Sequence, residues 1–145
     1  MRNSHDLFVY GTLMVPEVMY AVTGRNFDPV PATLSGYRRC GIRGEVYPAI
    51  DESPEQNVAG LLYRGLDDRL LKLVDKFESS IYRRCRVQVE SPGQLILQAW
   101  VYVISPGHRF LLSGRGWDLD RFRDRDLAAY LGGIMATAGV RSNRP

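Results

Sequence analysis

The chain has 145 residues, 45% of them hydrophobic, which matches a single domain spanning residues 1–145 and able to bury a core without disulfide or metal staples. A net charge of +3 and this apolar content exclude disordered and fibrous classes. There is neither an apolar run long enough to cross a bilayer nor a signal-peptide pattern at the N-terminus, so a cytoplasmic protein with no membrane partner is expected.

Cys40 and Cys85 lie far apart, outside any CxxC motif, and read as free buried thiols. His5 and His108 have no metal-ligand spacing, so no metal site is expected. Lys72 and Lys76 are the only lysines among nineteen basic residues. The run Arg83-Arg84-Cys85-Arg86 and the run Arg121-Phe122-Arg123-Asp124-Arg125 resemble nucleic-acid patches. The second alternates with Asp120, Asp124 and Asp126, as a solvated, ion-paired helix face would, and nucleic acid is not the expected partner.

Along the chain, residues 7–10 form a short apolar run ending at Gly11, a buried strand followed by a sharp turn. Pro16 and Glu17 open a short helix to about Val22, and Gly24 is its stop. Residues 30–50 carry β-formers interrupted by Gly36, Gly41, Gly44 and Pro48, predicting short or bulged strands, and residues 58–63 predict another. Asp67 or Asp68 can cap a helix with Leu70, Leu71, Leu73, Val74 and Phe77 on one face. Residues 82–90 alternate Cys85, Val87 and Val89 with Arg84, Arg86 and Gln88, a half-exposed strand. Pro92-Gly93 turns it into a partner strand over residues 95–104. Asp118 can cap a last helix to about Leu131, with Leu119, Phe122, Leu127, Tyr130 and Leu131 as core contacts, after which residues 139–145 look frayed. The order does not alternate strand and helix, so the expected class is α+β, with a small mixed β-barrel, flanking helices and a core over about residues 7–131.

Three constellations carry chemistry. Tyr10, Gly11, Thr12 and Leu13 precede a helix start, where amides without intrahelical partners can hold a carboxylate or an oxyanion. By itself this is also an ordinary strand–helix turn. Glu78 lies where a helix ends and a strand begins, bracketed by Phe77 and Tyr82. Desolvation there would raise its pKa and suit it to acid/base work, whereas a solvated glutamate at a helix end is the commoner case. Asp75 is a competing carboxylate, read as structural or surface. Trp100 and Tyr102 share one face of their strand and Val101 and Val103 the other, so Tyr102 can line a cavity or join the core.

Taken together, Phe8-Val9-Tyr10-Gly11-Thr12-Leu13, Gly36-Tyr37-Arg38, Tyr47-Pro48-Ala49, Val58-Ala59-Gly60, Asp75-Lys76-Phe77-Glu78 with Tyr82-Arg83, and Ala99-Trp100-Val101-Tyr102 resemble the γ-glutamylcyclotransferase-like family. The closer likeness is to the branch of plant avirulence-induced-gene proteins and γ-glutamylamine cyclotransferases. The resemblance implies a β-barrel with a cavity at the Tyr10 to Leu13 loop, Glu78 as acid/base residue, and Tyr82 and Tyr102 as cavity residues. It also implies cyclisation of a γ-glutamyl amide or amino acid to 5-oxoproline, with release of an amine. The substrate's own α-amine is the nucleophile, so no cofactor or metal is called for and the partner is a small γ-glutamyl molecule. Relatives commonly have glycine after the glutamate where this chain has Ser79, which keeps a second expectation in view: a catalytically silent binding or regulatory module that uses the same cavity. A third, an interaction domain for an anionic partner, would use the arginine-rich segments. Gly11→Val is expected to weaken binding by intruding into the loop.

Overall fold

The computed structural model describes residues 3–93 and 95–142, with side chains through residue 136. Five strands, β1 (His5–Val9), β2 (Val30–Gly41), β3 (Pro48–Leu66), β4 (Tyr82–Ser91) and β5 (Leu95–Ile104), are joined by α1 (Pro16–Thr23), α2 (Asp68–Phe77), α3 (Leu119–Arg125) and α4 (Leu127–Ser142). A single 3₁₀ turn at Thr12–Met14 links β1 to α1. The strands follow the order β1-β3-β2-β4-β5 and close on themselves. All pairings are antiparallel except at the seam, where Leu7 of β1 faces Trp100 of β5 in parallel.

Period-two alternation divides the strands into two apolar surfaces. One buried cluster receives residues from all five strands, among them Phe8, Leu34, Ile50, Leu62, Val89 and Val101, and fills the barrel. The opposite faces carry Leu7, Val9, Tyr63, Leu66 and Tyr102, which pack against Val18 and Met19 of α1, Leu70 and Val74 of α2, and Phe122 of α3. The predicted division of β5 holds: Val101 and Val103 face the barrel interior, while Trp100 and Tyr102 lie on the helix side.

Local signals account for most element ends. Gly24, at φ 73°, closes α1 in the left-handed region, its N–H bonded to Tyr20 O. Asp67 caps α2 by accepting from Leu70 N at 2.9 Å. The β4–β5 hairpin pairs Tyr82 with Ile104 through to Ser91 with Leu95.

Three expectations differ from what is found. Of the short or bulged strands expected in the middle of the sheet, the bulge is present but the shortness is not: two long strands run there, β3 over 19 residues. Ser35 pairs with Asn57 and Tyr37 with Glu52, so residues 53–56 stand opposite Gly36 alone. This large bulge takes Pro54, which has no N–H to give a ladder, out of the pairing. Second, the last helix is broken at Asp126 (φ −119°, ψ −22°), and α4 continues from Leu127 to Ser142. It therefore passes through residues 139–142, expected to be frayed; residues 143–145 lie outside the described residues. Third, Arg121, Arg123 and Arg125 are exposed and form no ion pair among the described residues. Long side chains in water gain little from such pairing. Both cysteines are free, Cys40 buried and Cys85 half-buried.

Gly60 is required by close approach rather than by flexibility. A Cβ there would lie 2.3 Å from Val9 O and 2.7 Å from the Phe8 ring, where β3 crosses β1. Gly60→Ala should destabilise the fold by about 1–3 kcal/mol in urea unfolding, the usual cost of overpacking. Asp67→Ala should cost about 1 kcal/mol through the lost cap. Gly107→Ala, with nothing within 4 Å of its Cβ, is the control and should change little.

Candidate active site

The turn after β1 is held by side chains from four directions. Tyr63 of β3 donates its hydroxyl to Leu13 O at 2.6 Å, and Arg39 of β2 donates Nη1–H to Tyr10 O at 2.9 Å. Tyr10 itself donates to the backbone O of Tyr102 on β5 at 2.6 Å. The Thr12 hydroxyl meets the Tyr130 hydroxyl of α4 at 3.2 Å. Arg39 is braced over the Trp117 ring, 5.6 Å from its centroid, and the Trp117 indole N–H donates to Val46 O at 2.8 Å. The first hydrogen bond of the 3₁₀ turn runs from Met14 N to Gly11 O at 3.0 Å. The amides of Thr12 and Leu13 precede it and are not used by the turn.

This loop forms one wall of a cavity of about 110 Å³. Tyr10, Gly11, Thr12 and Leu13 line it together with Glu78, Tyr82 and Tyr102, whereas Asp75 and Trp100 lie outside the lining. Segments more than sixty positions apart meet because α2 lies against the helix-facing side of the barrel and ends beside β1. Glu78 is the C-cap of α2, with φ −67° and ψ 143°, and its N–H bonds to Val74 O. Ser79 then makes the turn into β4: its Oγ accepts from Ile81 N at 3.4 Å and its backbone O from Tyr82 N at 3.2 Å. A hydroxyl-supported turn thus stands where the family resemblance leads one to expect glycine.

Glu78 keeps a partial solvent contact, but protein atoms enclose its carboxyl closely enough that desolvation, assisted by the charge of Asp75, pushes its pKa up to about 8. The described lining residues include no cation to oppose this, and Glu78 forms no ion pair among the described residues. Its charge acts in turn on five tyrosines around it, Tyr10, Tyr47, Tyr82, Tyr102 and Tyr130, each raised chiefly by burial and further by Glu78. No group of three or more His, Cys, Asp or Glu side chains among the described residues is arranged to hold a metal.

Two cavity tyrosines escaped the sequence reading. Tyr47 was visible only as part of a Tyr-Pro-Ala segment, and Tyr130 as one apolar position of a helix; both line the cavity. The aromatic signal was present, but the break at Asp126 that sets the course of α4 was not anticipated. A Cβ at Gly11 would come within 2.9 Å of the Pro48 ring, so a larger residue there also disturbs the contact between the loop and β3.

The family described as "Gamma-glutamyl cyclotransferase, AIG2-like" matches residues 7–119. AIG2-like protein C of Arabidopsis thaliana is 38% identical over 144 residues, covering 99% of this chain and 81% of that one. Among solved structures, an Arabidopsis thaliana protein determined in solution superposes with a TM-score of 0.72 at 28% identity, over 99% of this chain and 87% of that one. A structure titled gamma-glutamyl cyclotransferase shares the fold, with a TM-score of 0.61 at 16% identity over 92% of this chain and 88% of that one. On the extent of these matches, the chain belongs to the gamma-glutamyl cyclotransferase, AIG2-like family.

Proposed function

We propose that the protein is a γ-glutamylcyclotransferase in which Glu78 converts a γ-glutamyl amide to 5-oxoproline and a free amine. The observation that carries this reading is a lone carboxyl, its pKa raised to about 8, sharing a cavity with the unused amides of a strand–helix turn. Family membership and the shared fold support the same chemistry.

The substrate's α-ammonium gives a proton to the Glu78 carboxylate, and the resulting amine attacks the γ-carbonyl carbon. The oxyanion that forms is met by the Thr12 and Leu13 amides; one such donor contributes roughly 3 kcal/mol to a comparable transition state. The C–N bond to the departing amine then breaks as Glu78 returns the proton to its nitrogen. In all, two protons leave the attacking nitrogen and two reach the departing one, and Glu78, restored to carboxylate after each transfer, can carry both. A pKa near the working pH suits a group that must both take and give. The flexible glutamyl chain, held bent between the loop and Glu78, brings amine and carbonyl together without a bimolecular step. Tyr10, Tyr82 and Tyr102 shape the wall on which that chain folds.

Glu78→Gln and Glu78→Ala should lower 5-oxoproline release from γ-glutamyl amides by about 10²–10⁴-fold, the range of general acid–base catalysis, while the fold persists. Near-normal turnover in either variant would remove Glu78 from the mechanism.

In the wild type, kcat/KM should rise with pH through about 8 as free Glu78 ionises, and this limb should vanish from any residual activity of Glu78→Gln.

The same residue makes stability depend on pH. Its folded pKa of about 8 exceeds the usual 4.5, so between these values the native state holds a proton that the unfolded chain has lost. Stability therefore falls as pH rises through this window and carries the full cost above it. Thermal unfolding of Glu78→Gln should begin higher than that of the wild type at pH 9 and converge with it near pH 4. Parallel profiles across the range would contradict a buried, unpaired carboxyl.

A further inference from the structure

Three cavity hydroxyls have protons with fixed destinations. Tyr10 donates to the backbone O of Tyr102 at 2.6 Å, Tyr82 to Pro48 O at 2.5 Å, and Tyr102 to Asp75 Oδ1 at 2.6 Å. Carbonyl and carboxylate oxygens only accept, so the direction of each bond is set. Burial is the main cause that raises all three hydroxyls and keeps their protons on, followed by the Glu78 charge at Tyr10, by Tyr10 at Tyr82, and by the Asp75 hydrogen bond and charge at Tyr102. A hydroxyl whose single proton is committed outward can only accept from whatever enters the cavity; the Tyr10 oxygen also accepts from the Ile50 backbone N–H and has correspondingly less to offer. Ionised Glu78 beside them is an acceptor too. Three such hydroxyls, one carboxyl and no cationic side chain in the described lining form a receptacle for a group with several N–H donors and a positive charge.

Two of these outward acceptors are backbone carbonyls, which no substitution can neutralise. The third is Asp75, which does not line the cavity. It lies one turn before Glu78 on α2 and is held by Arg84 Nε of β4 at 3.6 Å. Arg84 is braced in turn over the Trp100 ring, 4.4 Å from its centroid. One turn of helix thus presents Glu78 to the cavity and Asp75 to the back of Tyr102.

We infer that Asp75 is a positioning residue that holds the Tyr102 proton out of the cavity and so completes, with Tyr10 and Tyr82, an acceptor-only subsite for the substrate's α-ammonium group. The inference rests on the γ-glutamyl reading above. Without Asp75 the Tyr102 hydroxyl is free to turn its proton inward, setting a donor against the donors of the ammonium. The charged and titratable groups facing Glu78 are Asp75 on α2, Tyr10 after β1, Tyr47 before β3, Tyr82 on β4, Tyr102 on β5 and Tyr130 on α4. Asp75 is the one carboxylate among them, and its removal is expected to ease ionisation of Glu78.

The test uses the Glu78→Gln protein, so that ligand is not consumed, and compares by calorimetry γ-glutamylmethylamide with its deamino analogue N-methylglutaramate. The amino compound should bind at least about tenfold tighter, a margin of about 1.4 kcal/mol. Adding Asp75→Ala should reduce that ratio to about threefold or less, and Asp75→Glu should restore it. Rescue by Asp75→Glu, which restores an acceptor carboxylate, separates this role from a loss of packing. An undiminished preference for the amino compound in the Asp75→Ala protein overturns the inference and leaves the cyclotransferase reading standing. Failure of either compound to bind, with no 5-oxoproline from the wild type, takes down that reading and this inference together.

Discussion

A carboxyl group enclosed by protein, with no cation opposite, is the constraint around which this site is organised. Taking a carboxylate out of water without a partner is costly, and a protein commonly avoids the cost by pairing the group or leaving it outside. Here the group is retained and its proton affinity rises instead. Its place at the end of α2 acts in the same direction, because the helix C-terminus carries partial negative charge that disfavours an anion there. The result is a carboxyl whose pKa is raised to about 8, located where the sheet and the helices together leave a cavity.

That location depends on two apolar assemblies sharing the same strands. The barrel interior fixes the strands relative to one another, and the helix-facing side fixes α1, α2 and α3 on the sheet. Leu7 and Val9 face the helices while Phe8 faces the barrel, so β1 belongs to both. The turn after β1 therefore emerges from the most constrained part of the molecule, and hydrogen bonds from Tyr63, Arg39 and Tyr10 then fix its carbonyls and course. A loop so held keeps the Thr12 and Leu13 amides, which its own turn does not use, in fixed positions beside the cavity, the condition under which the proposed oxyanion stabilisation needs no reorganisation.

Tyrosine suits the remainder of the wall. Its ring supplies apolar area for the cores, and its hydroxyl reaches a carbonyl or carboxylate, so the polar tip is satisfied where water is scarce. Ser79 acts similarly: its side chain accepts a hydrogen bond from Ile81 N that supports the turn, and Glu78 remains in the lining.

How much of this was legible in the sequence follows from the range of each interaction. Strand β1, the caps at Gly24 and Asp67, the β4–β5 hairpin and the division of Trp100 and Tyr102 from Val101 and Val103 are decided by neighbours a few positions away, and the chain states them directly. The residues from Tyr10 to Leu13, with Glu78, are named through the family resemblance, since their local pattern alone is equally that of an ordinary turn and a solvated helix end. The 19-residue β3 could not, because Pro54 and the polar residues around it read as a break until a bulge opposite Gly36 removes them from the ladder. Nor could the roles of Tyr47, Tyr130 and Asp75, which depend on where α2 and α4 lie against the barrel. The sequence by itself determined which residue types were available for proton transfer and anion binding. Only the tertiary structure decided that the carboxyl would be left without a cation and the hydroxyl protons turned away from it, because desolvation and hydrogen-bond direction exist only once distant segments share one enclosed space.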